Sequence, residues 1–251
     1  MDEKKITKEV SEFYDVVWTK YLPKVEEQKT FLLKHIGIEN IKGKTILDAG
    51  CGTGVAAVCF KLLGAKEVVG IDISEGALKT ARMLAERNKV DVIFEKDNLL
   101  DLKLKKKFDI IHSFGVLHHT ADCRKSFDNL VRLLKPDGKF YIALYLKTPL
   151  TFLQQSARFF LRLFPKSMWV FISSQIKKLL SGKKNTKRGF DGEGDMLDWF
   201  FVPYRTHHTP KEIEGWFREH DMDSQLLIAK TGRYASTSNF LMLGSHGPKA
   251  K

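Results

Sequence analysis

The segment Leu47-Asp48-Ala49-Gly50-Cys51-Gly52-Thr53-Gly54 constrains the fold more than any other stretch of the chain. It follows a short β-type run, Thr45-Ile46-Leu47, and leads into an apolar helical pattern. Glycine at every second position lets a backbone turn tightly and approach a ligand where a Cβ would collide. A helix starting at such a turn presents unpaired N–H groups and its positive dipole end at the same point. This strand–turn–helix predicts an α/β sheet with a ligand site outside the carboxyl end of the first strand.

The rest of the pattern agrees with that reading. After the first strand, Thr45 to Ala49, a helix starts near Gly54 and ends about Leu63-Gly64. A second strand runs from Glu67 to Ile73, and Ser74 is a good N-cap for a helix through Arg87, with Asn88 near its stop. A third strand spans Val92 to Glu95 and a fourth Phe108 to Ser113. A helix from about Asp122 to Leu134 stops before the turn signal Lys135-Pro136-Asp137-Gly138, and a fifth strand runs from Lys139 to Leu146. Such alternation implies a parallel sheet with helices on both faces. Residues 5–37 read as two helices split near Pro23, with Val10, Phe13, Tyr14, Val17, Trp18 and Tyr21 on one apolar-aromatic face. Near the other end, Thr209-Pro210-Lys211-Glu212 opens a helix. Two strands follow, Gln225 to Ala229 and Asn239 to Leu243, close enough in sequence to be antiparallel.

A glycine-rich turn alone is shared by many nucleotide-binding folds. Here the spacing is G-x-G-x-G rather than the dinucleotide G-x-G-x-x-G, and Asp48 lies two residues before the first glycine. A second acid, Asp72, ends the second strand, where a doubly wound sheet reaches the ribose hydroxyls of an adenosine ligand. The combination resembles the class I S-adenosylmethionine-dependent methyltransferases, whose first motif reads D/E-x-G-x-G-x-G. The resemblance covers roughly residues 40–146 and, more loosely, the last 45. It implies a doubly wound, seven-stranded, mostly parallel sheet with N-terminal helices, a helical insertion after the fifth strand and a last strand inserted antiparallel. In that arrangement 1–40 form a helical cap, 41–147 the cofactor-binding core, 148–206 a basic helical insertion and 207–251 a helix with an antiparallel strand pair, all within one domain.

The resemblance also implies a cofactor, S-adenosylmethionine, and residues to hold it. Asp48 would hold the methionine ammonium, directly or through water, with Gly50, Cys51, Gly52 and Gly54 leaving room for that moiety. Asp72 would accept both ribose hydroxyls, and Ile73 would pack on the adenine. Asp97-Asn98 stands where the family holds the adenine amino group, although Asp97 also suits a turn cap. Ser113 and Phe114 should line the site near the reactive methyl. Tyr14 either closes over the cofactor or packs as core.

Methyl transfer from a sulfonium needs mainly an aligned nucleophile about 3 Å away, with a general base optional. A histidine would serve if the acceptor is a hydroxyl or an acidic carbon. His118-His119, in Phe114-Gly115-Val116-Leu117-His118-His119-Thr120, resembles the segment found in quinone-biosynthesis and related small-molecule methyltransferases. One of the two would face substrate and the other would be structural. His207-His208 form a second candidate pair in a loop before a helix. No carboxylate or cysteine spacing beside either pair supports a metal site.

Charge distribution bears on the acceptor. The net charge is +12, yet residues 138–190 carry eleven Lys or Arg and no Asp or Glu, while the rest is nearly neutral. Residues 151–164 place Phe152, Leu153, Ser156, Phe159, Phe160, Leu163 and Phe164 on an apolar face and Gln155, Arg158 and Arg162 on a polar stripe, with Pro165 as a break. A second helix, 168–180, and a basic loop, 181–189, complete the segment. It reads as a lid packed on the domain, as a lid over residues 151–190 that also touches an anionic membrane or admits a lipophilic substrate, or as a nucleic-acid surface. The first two fit a small acceptor, lipophilic in the second; the third is the RNA methyltransferase alternative. Base-amino methyltransferases share an Asn/Asp-Pro-Pro-Tyr/Phe segment after the fourth strand, and here that place reads Ser113-Phe114-Gly115-Val116, which argues against nucleic acid. Three cysteines without paired spacing, no apolar leader and no run of 18 apolar residues predict a cytoplasmic protein, at most peripheral on the inner membrane face.

Overall fold

A computed structural model describes residues 2–17, 24–149, 151–161, 164, 168, 171–172, 175, 201–229 and 239–246. Three helices come first, α1 (Glu3–Val17), α2 (Val25–His35) and the short α3 (Ile38–Ile41). Strands and helices then alternate as β1 (Thr45–Ala49), α4 (Val55–Leu62), β2 (Glu67–Asp72), α5 (Glu75–Arg87), β3 (Ile93–Lys96) and β4 (Phe108–Phe114). A 3-10 turn at Leu117–His119 leads to α6 (Cys123–Val131), β5 (Leu134–Tyr145) and α7 (Thr151–Leu161), and later α8 (Pro210–Arg218), β6 (Met222–Ile228) and β7 (Asn239–His246).

The seven strands form one sheet in the order β3-β2-β1-β4-β5-β7-β6. Every pairing from β3 to β5 is parallel, and β7 runs antiparallel between β5 and β6. This is the doubly wound, mostly parallel sheet expected from the sequence. The order reverses beside β1, which opens a crevice between the carboxyl ends of β1 and β4. Each face carries its own core. Leu32, Phe60, Leu78 and Ala81 from α2, α4 and α5 pack on Ile46, Val68, Ile110 and Tyr141. Phe127 and Phe217 from α6 and α8 pack on Leu47, Ile71, Phe140 and Phe240 on the other side. Burial on both faces explains why the strands read as nearly continuous apolar runs.

Local signals act as capping rules require. The Ser74 hydroxyl accepts from Ala77 N–H at 3.0 Å, and the Asp122 carboxylate accepts from Lys125 N–H at 2.9 Å. Thr209 and Glu212 form a reciprocal capping box with Pro210 in the first turn of α8.

Two expectations change. Lys135-Pro136-Asp137-Gly138 does not precede the fifth strand but lies within it: β5 pairs Leu134 with Phe108, then Lys139 with Ile110, and the residues between bulge out. Proline lacks the donor a regular ladder needs, so the strand accommodates it as a bulge. The reading of α7 as a lid packed on the domain through its apolar face is the other. Arg158, expected on the polar stripe, is buried and donates to the Val202 carbonyl, while Gln155 of that stripe is exposed. Phe152, Phe159 and Phe160, on the apolar face, are 79%, 64% and 64% exposed. The buried segment containing Phe201 and Val202 presents a carbonyl to α7, and a guanidinium satisfies it where a phenyl ring could not. Trp18, Tyr21, Pro23, Leu163, most of the predicted 168–180 helix and the 181–189 loop lie outside the described residues.

Candidate functional site

The crevice at the switch point opens into a cavity of about 800 Å³. One wall is the Gly-rich turn. Gly50, Gly52 and Gly54 all have positive φ, +75°, +51° and +75°. Two of them also answer close packing. A Cβ on Gly50 would stand 2.3 Å from Val116 Cγ1, and one on Gly54 would stand 2.7 Å from Ala81 Cβ and 2.9 Å from Phe94 Cζ. Gly54 therefore seats the start of α4 against α5 and β3 and is not among the residues lining the cavity, whereas Gly50, Cys51 and Gly52 are. Burial pushes the Cys51 thiol well above its ordinary pKa, so it lines the cavity as a small apolar group.

Asp72 is fixed by two backbone donors. Gly52 N–H donates to its Oδ2 at 2.8 Å and Ser74 N–H to its Oδ1 at 2.9 Å. Its carboxylate borders the cavity, with the protein around it on every other side, and desolvation pushes its pKa up to about 6 despite these hydrogen bonds. Ile73, next in line, also borders the cavity.

The N-terminal helix closes over this corner. Asp15 accepts from the Ser74 hydroxyl and from Gly76 N–H, and Ser11 Oγ donates to the Ile73 carbonyl at 3.3 Å. That clasp puts Thr7, Val10 and Tyr14 along the cavity, so Tyr14 is a lining residue, meeting His119 edge-on with ring centroids 5.8 Å apart. Phe31 of α2 adds an aromatic wall against Phe114.

Asp97 and Asn98 line the cavity too. The Asp97 carboxylate accepts from Asn98, Lys103 and Leu104 N–H groups, and Asn98 Oδ1 accepts from Leu100 N–H. Both side chains shape the loop after β3, so a ligand amino group would have to share the Asp97 oxygens. Ser113 is fully buried and donates to the Ala49 carbonyl at 2.9 Å; it ties β4 to β1 and is not among the lining residues, unlike its neighbour Phe114. Strand alternation explains the difference, since adjacent residues point to opposite faces. Asp48 is buried beside His112, a residue sequence reasoning passed over; the only signal for it was a polar residue inside the apolar β4 pattern.

The four candidate histidines converge, although the pairs are about ninety residues apart in sequence. Thr206 N–H donates to the His118 carbonyl at 2.8 Å, His208 N–H donates to Tyr145 at 2.9 Å, and Lys147 N–H donates to His208 at 2.8 Å. These bonds strap 204–208 along the end of β5, around the Tyr145 ring. His118 lies 3.9 Å from Tyr145 and His207 5.8 Å, centroid to centroid, and the Arg205 guanidinium sits over the same ring. Their roles differ. His118 is fully buried; desolvation, then the neighbouring histidines and Arg205, hold its pKa well below the ordinary value. Desolvation and Arg205 likewise lower His207 to about 3. Both are neutral imidazoles at neutral pH. His208 bridges Thr206 Oγ1 and Glu212 Oε1, joining the strap to α8. His119 alone of the four lines the cavity. Its Nδ1 lies 3.0 Å from the Tyr204 carbonyl, which can only accept, so Nδ1 carries a proton.

Among the described residues no His/Cys/Asp/Glu group could hold a metal ion, and no helix is long and apolar enough to cross a membrane.

The ubiquinone biosynthesis O-methyltransferase of Neisseria meningitidis serogroup C (strain 053442) is 33% identical over 135 residues, covering 52% of this chain and 57% of that protein. The ribosomal protein L11 methyltransferase of Dictyoglomus turgidum is 33% identical over 118 residues, covering 47% and 38%. The chain thus spans about half the length of the curated relatives it matches. Among solved structures, magnesium protoporphyrin IX methyltransferase from Synechocystis PCC 6803 with bound S-adenosylmethionine superposes with a TM-score of 0.62 at 15% identity, covering 98% of each chain. The complex of DhpI with S-adenosylhomocysteine gives 0.60 at 13% identity, covering 99% and 100%. At these identities the likeness is one of fold. A family model described as a methyltransferase domain matches residues 40–167, from the strand before the Gly-rich turn to beyond α7, and the chain belongs to that methyltransferase family.

Proposed function

We propose that this protein transfers a methyl group from S-adenosylmethionine to the hydroxyl or acidic carbon of a small, lipophilic acceptor. The observation that carries this reading is the cavity itself. It has the Asp72 carboxylate, held by two N–H donors, on one wall and the His119 ring on another. Its size falls in the range of roughly 300–1,000 Å³ that holds small ligands.

The residues present fit the cofactor. Asp72 is oriented by backbone donors to accept ribose hydroxyls, and buried Asp48 retains an Oδ2 with no hydrogen-bond partner among the described residues, suited to an ammonium. Ile73 and the aromatic walls Phe31 and Phe114 suit a flat base. When bound, the cofactor supplies a methyl already activated on a sulfonium. The protein's part is to hold the acceptor in line, exclude water through the α1 clasp, and take the acceptor proton on His119 Nε2.

Lipophilicity rests on α7. Its outward phenyl rings stand in a segment with eleven basic residues and no acids, a combination suited to an anionic bilayer surface. The named relatives include a ubiquinone biosynthesis O-methyltransferase and a magnesium protoporphyrin IX methyltransferase, both named for small-molecule chemistry. The RNA alternative has no comparable support at the site.

The test is calorimetric titration with S-adenosylhomocysteine, followed by transfer of labelled methyl into a cell's lipid extract and, separately, its total RNA. Expected are binding and label in the lipid fraction. Absence of binding refutes the cofactor assignment, and label in RNA alone refutes the acceptor class.

A further inference from the structure

Asp48 and His112 face each other across the β1–β4 pairing, in register and on the same side of the sheet. Each is 2% exposed, and His112 Nδ1 lies 2.7 Å from Asp48 Oδ1. The imidazole cannot easily turn away. Phe60 of α4 meets it edge-on at 5.2 Å and Phe114 lies over it at 4.0 Å, centroid to centroid. Both residues line the cavity, yet Asp48 Oδ2 and His112 Nε2 have no hydrogen-bond partner among the described residues.

A buried carboxylate with one oxygen satisfied and the other bare is an expensive arrangement unless something completes it. A plain core pair would be cheaper as two apolar residues. Here Asp48 borders a ligand cavity, where a ligand's cation would complete the pair. We infer that His112 is a positioning residue: it anchors Asp48 through Oδ1 and thereby commits Oδ2 to the cationic amino-acid end of the bound cofactor. The inference rests on the S-adenosylmethionine reading above. It adds that the pair, rather than Asp48 alone, selects ligands that carry an ammonium from those that carry only the nucleoside.

Two variants and two ligands test it. His112→Phe keeps a ring between Phe60 and Phe114 but removes the Nδ1 donor. His112→Asn places an amide N–H close to where Nδ1 stood. Calorimetric titration would compare S-adenosylhomocysteine with 5′-methylthioadenosine, which lacks the amino-acid end. The expected result for His112→Phe is about tenfold weaker binding of S-adenosylhomocysteine, or more, with 5′-methylthioadenosine within about twofold of the parent protein. His112→Asn should recover most of the loss. Unchanged S-adenosylhomocysteine binding, equal weakening of both ligands, or an Asn variant no better than the Phe variant would each overturn the inference. Failure of the unsubstituted protein to bind either ligand would instead count against the cofactor reading.

Discussion

The two halves of the cavity are built in different ways. The half under β1 and β2 draws on residues 48–98, a contiguous stretch in which Asp48, Asp72, Asp97 and Asn98 stand at or just beyond the strand ends and backbone N–H groups hold Asp72. The half beyond β4 is lined by Tyr14, His119 and Thr120, and behind His119 residues 118, 145 and 204–208 are strapped together by a few long-range hydrogen bonds around one tyrosine ring. The first half is dictated by local geometry and changes little without breaking the fold. The second is a convergence of loops, where a scaffold can vary its chemistry.

The largest effect that would sharpen this contrast lies in the second half. His119→Ala should lower kcat by about 10²–10⁴-fold, the usual range for a lost general base, while leaving S-adenosylhomocysteine affinity nearly unchanged. Steady-state kinetics beside titration calorimetry would show it. An unaltered kcat would mean that this half only shapes the acceptor.

The next effect lies in the first half. Asp72 titrates near pH 6 in the ligand-free protein, and its ionised form is the better acceptor of ribose hydroxyls. Cofactor affinity should therefore rise between pH 5 and 7 and level off above. Stability without ligand should run the other way. A carboxyl raised from 3.8 to about 6 binds its proton more tightly when folded, so its contribution is complete below 3.8 and is lost as pH rises through 6. Asp72→Asn should flatten the binding profile and weaken affinity by about ten- to a hundredfold, as expected for hydrogen bonds to a charged group. A pH-independent affinity in the parent protein would contradict this assignment.

The smallest effect on the fold concerns the outer face of the second half. Replacing Phe152, Phe159 and Phe160 together by Ser should change unfolding free energy by no more than about 0.5 kcal/mol per site, because the rings are already exposed. The same variant should lose co-sedimentation with anionic vesicles. Vesicle binding equal to that of the parent protein would remove the membrane reading while leaving the catalytic one intact.

What could be read in advance follows the same division. Asp48, the glycines, Asp72 and the Ser74 cap were legible because strand, turn and helix periodicities fix where each side chain goes within a few residues. Even there, Gly54 and Ser113 were assigned to the ligand although their partners are protein atoms, Ala81 and Phe94 for one and the Ala49 carbonyl for the other. Spacing does not reveal which neighbour a glycine spares. The choice of His119 over His118 was not legible, since it depends on a carbonyl 85 residues away. The burial of Arg158 was hidden for a similar reason: its partner is the Val202 carbonyl, 44 residues away.

The position of β7 has a consequence for how the chain acquires its shape. Residues 45–114 can pair β1 to β4 as they are made, with short crossovers. β5 then has β4 on one side only. Its other partner, β7, begins at Asn239, nearly a hundred residues after Tyr145, and must slot between β5 and β6. Until it does, β5 presents a row of unpaired amides and carbonyls, a template for unwanted pairing with another chain. The corner around Asp48 and Asp72 can therefore take form early, while the side beyond β5 stays exposed to misassociation until the sheet is closed by a segment from far down the chain.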